Sequence, residues 1–110
     1  MARRRVVITG LGIISPVGNT VEEAWQNLLA GRSGIGPITK FDVSSFPVRF
    51  GGEVKNFDIG TYLSPKEARR MDSFIHFGMA AGIQAIRDAG LTEHEVDAER
   101  IGVAIGSGIG

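Results

Sequence analysis

The sequence predicts an α/β fold, and three observations carry that expectation. Residues 6–9 (VVIT) and 101–105 (IGVAI) are continuous apolar runs rather than alternating ones, the pattern of strands covered on both faces. Each opens into a glycine-rich turn, Gly10-Leu11-Gly12 after the first and Gly106-Ser107-Gly108-Ile109-Gly110 after the second. Between the two runs lie three stretches that begin with helix caps, so strands and helices share the chain.

The first helix is expected after Thr20. Thr20 and Glu23 have capping-box spacing, and Val21, Ala24, Trp25, Leu28 and Leu29 follow an i, i+3, i+4, i+7, i+8 rhythm. Gly31 ends it in the C′ role. Residues 32–61 are irregular and punctuated by Gly34, Gly36, Pro37 and Pro47, with an edge strand expected over 48–54. There Gly51-Gly52 marks a bulge or a close approach. Ser64 as cap, Pro65 at the first helical position and Glu67 three after the cap predict a short basic helix to about Met71.

Asp72-Ser73 offers a third cap, and residues 74–89 read as a helix apolar nearly all round that stops at Gly90. Gly78 and Gly82 sit inside it, each costing about 1 kcal/mol against alanine. Close backbone packing would offset that, which predicts an interior position. Two strands buried on both faces and such a helix need covering layers on either side. The 110 residues are therefore expected to be an N-terminal piece of a longer α/β protein.

The opening VVITGLGIISPVGNT has the look of a dinucleotide site, but the chemistry is missing. Gly10 and Gly12 supply two glycines of G-x-G-x-x-G, whereas the third position is Ser15 and the next residue, Pro16, has no amide hydrogen. The helix begins well past the glycine pair, and no acidic residue closes a second strand downstream. The variant T-G-x-x-x-G-x-G fails as well, with Ile14 and Pro16 in place of glycines. The expectation is a long turn in which Gly18 relieves strain.

Composition removes further classes. Twelve basic and twelve acidic residues cancel, so the chain as a whole does not attract nucleic acid or an anionic membrane. With no cysteine, these residues hold no disulfide, thiolate metal site or thiol nucleophile. No apolar stretch is long enough to span a membrane, and Arg3-Arg4-Arg5 precedes only a short apolar run with no signal-peptide core. A cytoplasmic location is expected. The hydrophobic fraction of 43% is that of a globular chain.

VVITGLGIISPVGNTVEEAW, LLAGRSGI, RFGGEV, KEARRMD and the terminal RIGVAIGSGIG occur in order over the whole chain. Together they resemble the N-terminus of bacterial β-ketoacyl-acyl-carrier-protein synthases, most closely those of type II. The resemblance implies a thiolase-like fold of two similar α/β halves, each a mixed sheet with helices, usually as a homodimer. Residues 1–110 would form the N-terminal part of the first half. It also implies fatty-acid elongation by decarboxylative Claisen condensation with malonyl-acyl-carrier protein, using a cysteine and two histidines and no cofactor.

None of that catalytic set is expected here. His76 lies in the apolar helix beside Phe77 and reads as a hydrogen-bonded packing residue, while His94, in TEHEVD, reads as solvated. The chain alone is expected to be inactive. What it can carry is recognition. Lys66, Arg69 and Arg70 lie at i, i+3 and i+4 and share a helix face. The resemblance makes that face the dock for the acidic acyl carrier protein, and it places Ile109 of GSGIG at the acyl pocket near the dimer interface. Three other readings compete: a non-catalytic partner subunit of the same fold, a thiolase acting on coenzyme A esters, and a free-standing binding module. The basic helix argues against the second, and the apolar faces against the third.

Overall fold

The computed structural model describes residues 2–110. In chain order it contains α1 (Val21–Leu29), β1 (Ile35–Pro37), β2 (Phe50–Gly52), α2 (Pro65–Ala68) and α3 (Ser73–Asp88), with single 3-10 turns at Ile59–Thr61 and Ala98–Arg100. β1 and β2 form a two-stranded antiparallel sheet in regular register, Gly36 opposite Gly51.

The helices begin and end where their caps dictate. Thr20 accepts a hydrogen bond from the Glu23 amide at the start of α1, but the box is half-formed: the Glu23 carboxylate turns to the Asn19 amide instead. Gly31 and Gly90, following α1 and α3, adopt φ +69°, the left-handed geometry that closes a helix without a Cβ clash. Asp72 rather than Ser73 caps α3, accepting from the Ser73 amide.

Three expectations are corrected. Residues 6–9 and 101–105 do not form strands, and they are open to solvent, with Val6 89% and Val103 78% exposed. A strand exists only through its ladder, and no other segment among the described residues pairs with either run. Of the two alternatives at Gly51-Gly52, the close approach holds and the bulge does not: Gly52, like Gly34, presses on Pro16, where a Cβ at either would collide with that proline. Gly18 is not a strain-relieving turn residue, since its φ is not positive; it is bare because a Cβ there would strike the Ala24 backbone.

The third correction concerns α3. Close backbone packing does occur on it, but not at its own glycines. Gly82 has nothing within 4 Å and Gly78 meets only Ile105 at ordinary distance. The glycines that permit the approach are Gly10 and Gly12, where a Cβ would run into the carbonyls of Ala85 and Ala81. This is what the glycine-rich turn of the opening segment is for. Side chains of α3 lock the contact: Asp88 accepts from the Leu11 amide at 2.9 Å and Gln84 from the Ile13 amide at 3.0 Å.

Polar ties hold the rest. Gln84 also donates to the Asn19 carbonyl and to the Tyr62 hydroxyl, at 2.7 and 2.9 Å. Lys55 Nζ donates to three carbonyls, those of Pro16, Gly34 and Glu53, binding the 15–18 turn to both strands. Thr39 donates its amide and hydroxyl to the Glu53 carboxylate, and these bonds hold that carboxyl below its ordinary value of 4.5. Apolar burial is slight: among the described hydrophobic residues only Ala24 and Ala80 are buried. The radius of gyration of 17.3 Å exceeds the roughly 13 Å of a compact domain of 100 residues. The interior position expected for α3 is thus not reached within these residues.

These ties can be tested at two positions. In the full-length polypeptide that carries this sequence, Gly12→Ala lowers denaturant stability by about 1–3 kcal/mol, because the added methyl meets the Ala81 carbonyl. Unchanged stability in Gly12→Ala would contradict the close approach to Ala81. Glu53, its folded value lowered by Thr39, stabilises the fold fully above the unfolded value and loses that contribution as pH falls through the folded one. The stability difference between wild type and Glu53→Gln, measured by urea titration against pH, is therefore flat above about pH 5 and shrinks only in more acid solution.

Candidate functional site

The candidate site is the corner where α2 meets α3. Ser64 and Glu67 complete a full capping box: the Ser64 hydroxyl accepts from the Glu67 amide, and the Glu67 carboxylate accepts from the Ser64 amide at 3.2 Å and hydroxyl at 3.0 Å. Pro65 fixes the first helical φ. Glu67 is the one acidic residue of α2, and the box turns it toward the N-terminus, away from the end where Arg69 and Arg70 stand.

The helix proper is shorter than expected, ending at Ala68 rather than Met71. Arg69 is its C-cap in the right-handed helical region, and Arg70 and Met71 continue as tight turns onto the Glu67 and Ala68 carbonyls. The coil continues in the same sense, so Lys66, Arg69 and Arg70 remain successive exposed cations of one corner.

Support for the corner comes from α3 and from the segment before α2. The His76 ring, half-buried, lies with Nε2 2.8 Å from the Ala68 carbonyl. A carbonyl can only accept, so Nε2 carries the proton. The sequence reading of His76 as a hydrogen-bonded packing residue is thereby met, with its partner eight residues back. Ahead of α2, Phe57 stacks on Tyr62 at 6.2 Å and meets Phe77 of α3 edge-on at 5.3 Å. Lys40 Nζ lies 5.7 Å from the centre of the Phe77 ring.

Ile109 is not brought to this corner. It is 93% exposed, in a turn where the Ser107 hydroxyl donates to its carbonyl. A cleft of about 430 Å³ opens next to that turn between Phe74, Ile75 and Met79 of α3 and residues 105–107; Ile109 is not part of its wall. His94 is exposed. Among the described residues no group of three His, Cys, Asp or Glu could hold a metal ion, and no helix is long and apolar enough to cross a membrane.

Sequence reasoning missed Gln84, Asp88 and Lys55, each of which serves loop amides or carbonyls far away in the chain. Gln84 had a visible signal, as an uncharged polar residue within an apolar helix. Lys55 had none, because a lysine in a loop ordinarily means solvent.

The β-ketoacyl synthase N-terminal domain family matches residues 3–110. A 3-oxoacyl-[acyl-carrier-protein] synthase 2 of Vibrio cholerae is 61% identical over all 110 residues, which make up 27% of that relative. The protein of the same name from Synechocystis is 56% identical over 110 residues, 26% of its length. The chain thus spans about a quarter of the length of the relatives it matches. Among solved structures, the ishigamide ketosynthase/chain length factor superposes with a TM-score of 0.76 at 44% identity, over 84% of this chain and 23% of that one. Its fold is the thiolase-like α/β fold expected from the sequence. A family match over nearly every residue, joined to this identity, leaves one assignment: the chain belongs to the β-ketoacyl synthases, in their N-terminal domain.

Proposed function

We propose that the polypeptide carrying this sequence is a fatty-acid condensing enzyme. It joins an enzyme-held acyl chain to malonyl-acyl-carrier protein by decarboxylative Claisen condensation. Residues 1–110 contribute recognition, as the N-terminal part of the first α/β half. The observation that carries this reading is the α2 corner: three exposed cations on a tightly capped helix and the turn that continues it, with the helix's own carboxylate turned away from them. Such a surface suits an acidic protein partner bearing a phosphodiester-linked prosthetic arm. A small ester of coenzyme A would need no protein-docking face.

In this reading the thiolate nucleophile and its histidine partners come from outside residues 1–110, which contain no cysteine. The 110 residues alone are then inactive, the working enzyme is a cytoplasmic homodimer, and no cofactor is needed beyond the arm on the carrier. Ile109 contributes to the acyl pocket. Its 93% exposure and the open space around Gly108 leave this side of the loop free to be packed by further structure and to shift as an acyl chain enters, while Gly110 on the other side lies against the Phe74 ring.

Two measurements test the proposal in the full-length polypeptide. The double charge reversal Lys66→Glu/Arg69→Glu raises the Kd for acyl carrier protein by roughly tenfold or more at low ionic strength, and the difference shrinks with added salt. Unchanged affinity at low salt overturns the docking assignment. Ile109→Phe shifts the product profile toward short acyl chains by filling the pocket; an unaltered chain-length distribution removes Ile109 from it.

A further inference from the structure

We infer that His76 is a positioning residue for partner docking: its Nε2–H bond to the Ala68 carbonyl sets the direction in which Arg69 and Arg70 leave the α2 corner. The inference rests on the docking reading above and adds to it a residue outside the basic set.

The physical argument begins with the length of α2. Four residues are far too few for a helix to hold itself in water, so its geometry must be imposed from both ends. The capping box and Pro65 fix the N-terminal end. At the other end the last carbonyls would be orphans. The Ala68 carbonyl has two partners there, the Met71 amide at 3.2 Å and the His76 ring at 2.8 Å. The shorter of these is the only one that comes from a separate element.

That carbonyl belongs to the Ala68–Arg69 peptide plane. A plane held by α3 fixes the backbone nitrogen and Cα of Arg69, and with the Arg69 φ of −65° it sets the Cα–Cβ direction of Arg69 and the start of the turn bearing Arg70. The ring is half-buried, wedged next to Phe77 in the wall of a cleft that also includes Phe57 and Lys40. That partial shielding favours the bond over a fully exposed one. Since α3 is itself held by Gly10 and Gly12 at its far end, His76 ties the docking corner to a fixed platform rather than to another loop. His76 makes no contact with the partner; it acts through the orientation of residues that do.

The experiment compares His76→Leu, His76→Gln and Lys66→Glu/Arg69→Glu in the full-length polypeptide. Affinity for acyl carrier protein is measured by calorimetry at several salt concentrations, and unfolding midpoints are recorded in parallel. Leucine keeps apolar bulk and removes the donor, while glutamine places an amide N–H near the position of Nε2. Loss of one hydrogen bond is worth roughly a 3- to 10-fold change. The expected result is a Kd raised by about that factor in His76→Leu with a shallower salt dependence, and a Kd near wild type in His76→Gln at a similar unfolding midpoint. Equal affinity of His76→Leu and wild type overturns the inference, as does a loss in His76→Leu whose salt dependence is unchanged. A loss in His76→Gln as large as in His76→Leu overturns it too, because the donor would then be irrelevant. The charge-reversal variant separates the two levels: if it binds like wild type the docking reading itself falls, and if it alone weakens binding only the role of His76 falls.

Discussion

The arrangement depends on a close approach between two backbones. Residues 10–13 run along α3 at a distance that only glycine allows, with Gly10 and Gly12 facing the carbonyls of Ala85 and Ala81. At that distance the loop amides cannot find water on the helix side, and α3 answers them with Gln84 and Asp88. Gln84 then extends the contact, its amide reaching the Asn19 carbonyl at the mouth of α1 and the Tyr62 hydroxyl ahead of α2. Tyr62 leads through Phe57 back to Phe77 on α3. A methyl group at position 12 would push this segment off Ala81 and lengthen the bonds from the Leu11 and Ile13 amides to α3. The fold around α3 is thus held by sterics first and by hydrogen bonds that the sterics make possible.

Within residues 2–110 apolar burial is slight. Trp25, Leu28 and Leu29 of α1 and Phe74, Ile75, Met79 and Ile86 of α3 stay exposed, although both helices carry the periodicity of buried elements. Each bond in the polar network contributes on the order of 1 kcal/mol, whereas burying one large side chain is worth about 1.5–3 kcal/mol. The side chains capable of that greater stabilisation lie on the faces that a layered α/β fold covers, and relatives of this family run to almost four times this length.

The parts of the sequence that speak locally were legible. Thr20, Gly31, Ser64, Pro65, Glu67, Asp72 and Gly90 occupy the roles that their side chains and backbone freedom suit, because a cap involves residues a few positions apart. The two apolar runs were legible as composition but not as structure, since a strand is a property of a pair and neither run finds a partner here. β1 was invisible for the same reason: Ile35, Gly36 and Pro37 have no strand pattern, and they are extended because β2 lies beside them. The glycines were legible as close-contact residues without an address. Gly78 and Gly82, four apart on one helix, invited the assignment, yet the contact falls to Gly10 and Gly12, whose spacing of two on an extended segment matches successive turns of the facing helix.

The candidate site shows the same division and gives it a functional consequence. Charge is readable from sequence, so Lys66, Arg69 and Arg70 stand out at once. Orientation is not, because the residue that sets it is a histidine on another element, eight positions away from its partner. Exposed cations on a loose loop would give only long-range attraction, which salt screens within about 10 Å at 0.1 M. Cations whose backbone is fixed at both ends lose less freedom when a partner arrives and can discriminate by position as well as by sign. A four-residue helix capped by its own serine and glutamate on one side, and by His76 on the other, turns a local excess of positive charge into a surface with a defined geometry.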